Sequence, residues 1–218
     1  MKIFELFDLR HTLAADFLAG FDYPWEALSG IQNLILELGA TLGDAYTEVS
    51  EQVWVHNTAK IAPTASLSAP CIIGENTEVR HGAFIRGNAL VGNGCVVGNS
   101  VELKNVILFD GVQVPHYNYV GDSILGYKAH MGAGSLTSNV KSDKSLVVVH
   151  AQEDIPTGLK KFGAILGDHV EVGCNSVLNP GTVIGRNSNI YPVSRVRGVV
   201  PADSIYKDKD NIVGKEND

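Results

Sequence analysis

An imidazole, a carboxylate, a phenol and two cations stand at related spacings in the middle of this 218-residue chain: His116, Glu102, Tyr119, Arg86 and Lys104. Separations of 17 or 18 residues connect His81, Asn99, His116 and Ala133 in one series, Glu102 and Tyr119 in a second, and Arg86 and Lys104 in a third. A histidine beside a carboxylate is the smallest general base that works near neutral pH. An arginine with a lysine offers the charge that a sugar phosphate needs. Taken singly, each of these polar residues is explained by solvation alone. Only their convergence carries chemistry, and that requires a fold in which 17 or 18 residues bring the chain back above itself.

The hydrophobic pattern supplies such a fold. Large aliphatics recur six residues apart at Ile61, Leu67, Ile73, Val79, Ile85, Val91, Val97 and Leu103. A five-residue step leads to Leu108, Val114 and Val120, and another to Leu125 and Met131; the period then lapses and resumes at Leu166, Val172, Leu178, Ile184, Ile190 and Val196. Four residues after each aliphatic comes a mostly small side chain, as at Ala65, Cys71, Thr77, Ala83, Ala89, Cys95, Ser176, Thr182 and Ser188. One large and one small inward position per hexad suits a narrow prism, in which three hexads close a coil and successive coils pair as parallel strands about 4.8 Å apart. The repeat covers residues 55–201 and predicts an all-β parallel β-helix. In this register His81, Asn99, His116 and Ala133 stack in one column, Glu102 and Tyr119 share the same edge, and Lys104 lies above Arg86. His130 falls on a different face.

Two segments break the period. Residues 1–54 contain Trp25, Leu28, Ile31, Leu34, Ile35 and Leu38 at helical spacing behind Pro24, which can open a helix, so this part is expected to be a short helical cap on the first coil. Residues 137–163, with Lys141, Lys144, Lys160 and Lys161, are expected to leave the prism as a loop and return. Residues 202–218 are charged and are expected to be a fraying tail. The net charge of −7 argues against nucleic acid or an anionic membrane as partner, since both reward a cationic surface. No apolar run reaches the roughly 20 residues of a membrane span, and acids interrupt the first ten residues, which predicts a cytoplasmic protein. Cys71, Cys95 and Cys174 lack a C-x-x-C spacing and are expected to be reduced packing residues.

The hexad pattern resembles the hexapeptide-repeat acyltransferase superfamily, which implies that the β-helix is left-handed. Three stretches narrow the resemblance: Val97-Gly-Asn-Ser-Val-Glu-Leu-Lys104, Pro115-His-Tyr-Asn-Tyr-Val-Gly-Asp-Ser123 and Gly132-Ala-Gly-Ser-Leu-Thr-Ser-Asn139. They are similar to the acetyltransferase domain of the bifunctional glucosamine-1-phosphate N-acetyltransferase/N-acetylglucosamine-1-phosphate uridyltransferases and of archaeal sugar-1-phosphate nucleotidyltransferases. Gly158-Leu-Lys-Lys-Phe-Gly-Ala-Ile-Leu-Gly-Asp-His-Val170 resembles the archaeal form, and Tyr23-Pro24-Trp25-Glu26 resembles the linker after its nucleotidyltransferase half.

The resemblance implies transfer of acetyl from acetyl-CoA, as cosubstrate, to the amine of an amino-sugar phosphate or nucleotide amino sugar, in a homotrimer with sites between subunits. It implies that His116 is the general base, that Glu102 orients or polarises it, and that the Ala133 amide donates to the acetyl carbonyl. Arg86 and Lys104 would hold phosphate or sugar, and Tyr119 and Asn139 would hydrogen-bond the substrate. His130 stands where the bacterial enzymes have an asparagine, and no residue here matches their coenzyme arginine, so coenzyme-binding residues are left unassigned. No Gly-rich nucleotidyltransferase motif occurs, so that activity is not expected of these residues. Two rival readings stand beside this one. A non-catalytic module would bind a nucleotide sugar or scaffold a separate nucleotidyltransferase. A zinc enzyme like the γ-class carbonic anhydrases would need a close H-x-x-x-x-H pair, which is absent here, so no metal ligands are assigned.

Overall fold

The computed structural model describes residues 1–215. From Val53 onward the chain is a parallel β-solenoid with three sides, the fold class expected from the hexads. Side one stacks strands such as Val96–Asn99, Gln113–His116, His130–Met131 and Glu171–Val172. Side two stacks Phe84–Ile85, the beginnings of Glu102–Leu108 and Tyr119–Leu125, then Leu136–Thr137, Val177–Leu178 and Arg195–Val196. Side three stacks Cys71–Ile73, Ala89–Val91, the ends of those two long strands, Ala164–Leu166 and Thr182–Ile184.

The repeating aliphatics fill the prism. Ile73, Val79, Ile85, Val91, Val97 and Leu103 are almost wholly buried, each contributing about 1.5–3 kcal/mol of transfer free energy. The small inward residues line the corners, and where they carry hydroxyls these are paired: Thr77 Oγ1 donates to the Gly92 carbonyl at 2.7 Å and accepts from the Cys95 amide at 3.0 Å. A larger side chain in that column would strand the polar backbone of the turn.

The two five-residue steps have a structural meaning. They coincide with the seven-residue strands Glu102–Leu108 and Tyr119–Leu125, which run across the edge between sides two and three without a full corner. Asn105 and Asp122 turn that edge with φ of 54° and 48°, the left-handed region that Asn and Asp tolerate better than most residues.

Three expectations need correction. The first coil is edged by Tyr46–Ser50, antiparallel to Val53–His56, rather than by the helical part of the N-terminal segment. Pro24–Gly30 forms a 3₁₀ turn and Ile31–Gly39 an α-helix, and together they pack lengthwise on side three against Cys71–Ile73, Ala89–Val91 and the two long strands. The exposed aliphatic flank of that side needs covering along its length, and the buried Trp25, Leu28, Ile31 and Ile35 provide the cover. Second, Val53–His56 already pairs with Cys71–Ile73, so the solenoid begins within the stretch assigned to the cap. Third, the charged end is not a tail as far as residue 215, the rest of that stretch lying outside the described residues: Ser204–Asp208 adds to side one beside Asn189–Ile190 and turns back as an antiparallel strand, Asn211–Gly214. An antiparallel hairpin at the last coil blocks further parallel addition at an open edge.

The excursion after Thr137 carries its own hairpin, Val148–His150 with Asp154–Pro156, and returns at Phe162, which stacks on Trp25. No described helix is long and apolar enough to cross a membrane.

Candidate active site

The candidate residues lie across side two, from one edge to the other. His116 ends its strand at the edge between sides one and two, directly over Asn99. Ala133 follows in the next coil, where the Gly134 amide donates to the His116 carbonyl at 2.9 Å. Glu102 and Tyr119 are register partners within side two. Arg86, Lys104 and Asn139 gather at the edge between sides two and three. The column logic therefore holds, but the cluster does not sit at a single edge: it spans a strip on the order of 10 Å wide.

His116 is exposed, and its hydrogen bonds among the described residues run through its backbone. Its amide donates to Asn118 Oδ1 at 3.1 Å, while Asn118 Nδ2 donates to the Gly132 and Ser135 carbonyls at 2.9 and 3.0 Å. Asn118 is 2% exposed. A buried amide thus ties the backbone of the imidazole residue to the turn that carries Ala133, whose own amide donates to no acceptor among the described residues. A free backbone N–H beside an exposed imidazole can stabilise an oxyanion and remove a proton at neighbouring points. Asn118 occupies the slot where other hexads place Ala, Cys, Ser or Thr, and that substitution in the column is the signal that was available in the sequence.

Glu102 does not orient His116 within this chain. Its Oε1 accepts from Arg86 Nη1 at 2.6 Å, which engages the carboxylate and leaves the other guanidinium N–H groups of Arg86 open. Lys104 is likewise paired: Nζ lies 3.1 and 3.3 Å from the carboxylate oxygens of Asp122, a residue with 4% exposure. Asp122 also accepts from Asn105 Nδ2 at 3.0 Å and from Asn139 Nδ2 at 2.5 Å. Asn139 reaches Tyr119 Oη at 3.2 Å. Burial, with the carboxylates of Asp122 and Glu102 nearby, pushes the Tyr119 phenol up, so it stays protonated at neutral pH. Asp122 was not anticipated. A lone acid inside a shortened hexad is the trace it leaves.

His130 shares side one with His116 rather than occupying another face. It pairs in register with Gln113, three residues before His116, and its Nδ1 lies 2.7 Å from Glu171. Three residues along a strand is roughly 10 Å, and its ring is taken by Glu171, so it does not join the cluster.

A second group of cations was also missed. The excursion and the last coils enclose a cleft of about 370 Å³ lined by Ser138, Lys141, His150, Asn179 and Arg197, and an adjoining one of about 390 Å³ is lined by His150, Arg195, Arg197 and Lys209. Arg197 Nη2 approaches His150 Nε2 at 2.9 Å, and His150 Nδ1 lies 2.8 Å from Asp154. Arg195 stands on side two in the same column as Tyr119, Leu136 and Val177, roughly three strand spacings or 14 Å from Tyr119. The Arg-x-Arg at 195–197 marks it in the sequence.

A family model described as the GMPPB C-terminal domain matches residues 67–180. The chain is 31% identical over 190 residues to the bifunctional protein GlmU of Methanococcus aeolicus, covering 79% of this chain and 46% of that protein. It is 28% identical over 174 residues to the bifunctional sugar-1-phosphate nucleotidylyltransferase/acetyltransferase of Sulfurisphaera tokodaii, covering 71% and 43%. The chain thus spans under half the length of these relatives. Among solved structures, a hexapeptide transferase family protein from Anaplasma phagocytophilum aligns at a TM-score of 0.40 with 14% identity, covering 75% of this chain and 78% of that one. The acetyltransferase domain of PglB from Neisseria gonorrhoeae, in complex with acetyl coenzyme A, aligns at 0.37 with 13% identity, covering 87% and 67%.

Proposed function

The chain belongs to the GMPPB C-terminal domain family, and from the site we propose that it transfers an acetyl group from acetyl-CoA to the amine of an amino-sugar phosphate resembling glucosamine-1-phosphate, or of a nucleotide amino sugar. The observation that carries this reading is that Asn118 ties the backbone of His116, whose imidazole is exposed, to the turn that carries the free Ala133 amide. The relative from Sulfurisphaera tokodaii bears both acetyltransferase and sugar-1-phosphate nucleotidylyltransferase in its name, which supports the substrate class.

In this reading His116 removes a proton from the sugar amine as its nitrogen bonds to the thioester carbonyl carbon. The carbonyl oxygen gains charge and takes the Ala133 N–H as donor. The carbon–sulfur bond then breaks, the acetyl group stays on nitrogen, and the thiolate leaves with a proton from the imidazolium. Lys104 and Arg86 face the phosphate, and Tyr119 and Asn139 the sugar. Arg195, Arg197 and Lys209 would take the phosphates of the coenzyme, because they line one open cleft and Arg195 lies on the same side of the prism as the sugar cluster.

His116 finds no carboxylate in its own chain among the described residues, and side two exposes Phe84 in the candidate strip and, at its edge, Tyr117. Both features support a homotrimer in which a neighbouring subunit completes the site. Release of free thiol from acetyl-CoA, measured across a panel of amino-sugar phosphates and nucleotide amino sugars, tests the proposal. Thiol release that depends on one amine acceptor is the expected result; binding of a nucleotide sugar without any release would mark the chain as a non-catalytic module.

A further inference from the structure

We propose that Asp122 is a positioning residue that sets which atoms of the sugar-binding strip donate and which accept, and that it does so without touching substrate. The inference rests on the sugar-phosphate reading above.

Asp122 is the most buried acid of the cluster, and it is the point at which four segments meet. Its carboxylate holds Lys104, Asn105 and Asn139, and its carbonyl accepts from the Gly163 amide at 2.8 Å. Asn105 in turn donates to the Leu28 carbonyl in the N-terminal segment. Gly163 and Asn139 sit at the two feet of the excursion, where the Phe162 amide donates to the Asn139 carbonyl at 3.0 Å. One buried carboxylate therefore fastens the long strands, the N-terminal cover and the base of the excursion.

The chemistry of the contacts determines the polarity of the surface. An ionised carboxylate only accepts hydrogen bonds, so the Asn139 amide must present Nδ2 to Asp122, which also aims Nδ2 at Tyr119 Oη. Two outcomes follow. Asn139 Oδ1 is turned away from Asp122 and is left as an acceptor, and the Tyr119 hydroxyl, whose lone pair is occupied by Asn139, keeps its proton for an external acceptor. Lys104 Nζ has three donors, and the Asp122 carboxylate does not use all of them. The strip thus offers a fixed order of ammonium donor, hydroxyl donor and amide acceptor. That order suits a ligand carrying an anionic group beside a free hydroxyl, the pattern of a sugar phosphate.

A nearby negative charge opposes binding of an anion through Coulomb repulsion, so the two roles predict opposite signs. If Asp122 contributes only charge, Asp122→Asn tightens the binding of a sugar phosphate. If it positions, the same change loosens the binding, because the substituted amide can present either its oxygen or its nitrogen and no longer dictates the orientation of Asn139 and Lys104. We therefore expect Asp122→Asn in the full chain to raise the Kd for glucosamine-1-phosphate, measured by calorimetry, by about tenfold. The effect should be at least about threefold smaller in a Lys104→Ala background, since part of it acts through Lys104. An unchanged or lowered Kd overturns the proposal, and so does an equal effect in both backgrounds. Should Asp122→Asn fail to fold, Lys104→Ala and Asn139→Ala serve instead: each should weaken binding about three- to tenfold, and unchanged affinity in both overturns it. A wild-type chain that binds the probe but releases no thiol from acetyl-CoA sinks the transfer reading and leaves the affinities to decide Asp122; one that binds no sugar phosphate sinks both.

Discussion

Arg86 and Glu102 meet diagonally across one strand spacing, with Nη1 to Oε1 at 2.6 Å, and this pair engages the carboxylate that register alone would assign to His116. Both side chains are substantially solvent-exposed, at 45% and 35%, so the pair itself adds little to stability. Its effect is on geometry. It holds a guanidinium beside Tyr119 and leaves the imidazole of His116 to be oriented by substrate or by a neighbouring chain.

His116→Ala is expected to lower acetyl transfer by about 10² to 10⁴ while leaving the melting temperature unchanged, because the side chain is exposed and only its backbone holds the turn. His81, whose Nδ1 lies 2.7 Å from Thr64 Oγ1, and His130 should both tolerate alanine. Steady-state rates with circular dichroism decide this. Retained activity in His116→Ala together with lost activity in His130→Ala would falsify the assignment.

Arg86→Ala and Lys104→Ala should both raise KM for the sugar more than they lower kcat, as a phosphate clamp holds ground and transition states alike. Their stabilities should differ. Arg86 lies at the surface, whereas Lys104→Ala leaves Asp122 buried with one charged partner fewer, which costs on the order of 1–3 kcal/mol. Equal melting temperatures for the two variants would show that the Lys104–Asp122 pair is not formed in solution.

Gly121→Ala probes the strip without altering any polar group. A methyl group there overlaps the Tyr119 hydroxyl and comes within 3.0 Å of Asn139 Nδ2. The flexible ends of these side chains can move, so the protein should fold, but Tyr119 and Asn139 lose their mutual contact. KM for the sugar is expected to rise severalfold with little change in expression or melting temperature.

The three thiols should react differently. Burial pushes both Cys71 and Cys95 up to about 12, so neither forms thiolate at pH 8, while Cys174 is exposed. A chromogenic disulfide reagent should therefore titrate one thiol in the native protein and three after denaturation. More than one fast-reacting thiol in the native state would mean that the solenoid core opens.

Light scattering should report three times the chain mass of 23.3 kDa. A monomer at assay concentrations would leave His116 without a partner to complete its site.

The amino-acid sequence by itself determined the solenoid, its sides and the stacking of His116 over Asn99 and Tyr119 over Glu102. Those relationships follow from a local period in which every sixth residue must point inward, so counting along the chain is equivalent to measuring distance across it. It also marked the excursion, since the period visibly lapses there. Tertiary structure alone decided what the tips of the outward side chains do. A register assigns Glu102 to a column, but whether its carboxylate turns to Arg86 or to His116 depends on which cation lies in the coil below and how far each side chain reaches. Asp122 entered the site for a similar reason: the foot of the excursion and the N-terminal cover close over the edge it turns, and burial compels it to collect Lys104, Asn105 and Asn139 as partners. The place of the N-terminal segment was likewise beyond counting, because its apolar stripe matches any flat aliphatic surface, and only the completed prism shows that side three, with Phe162 waiting for Trp25, is the surface left uncovered.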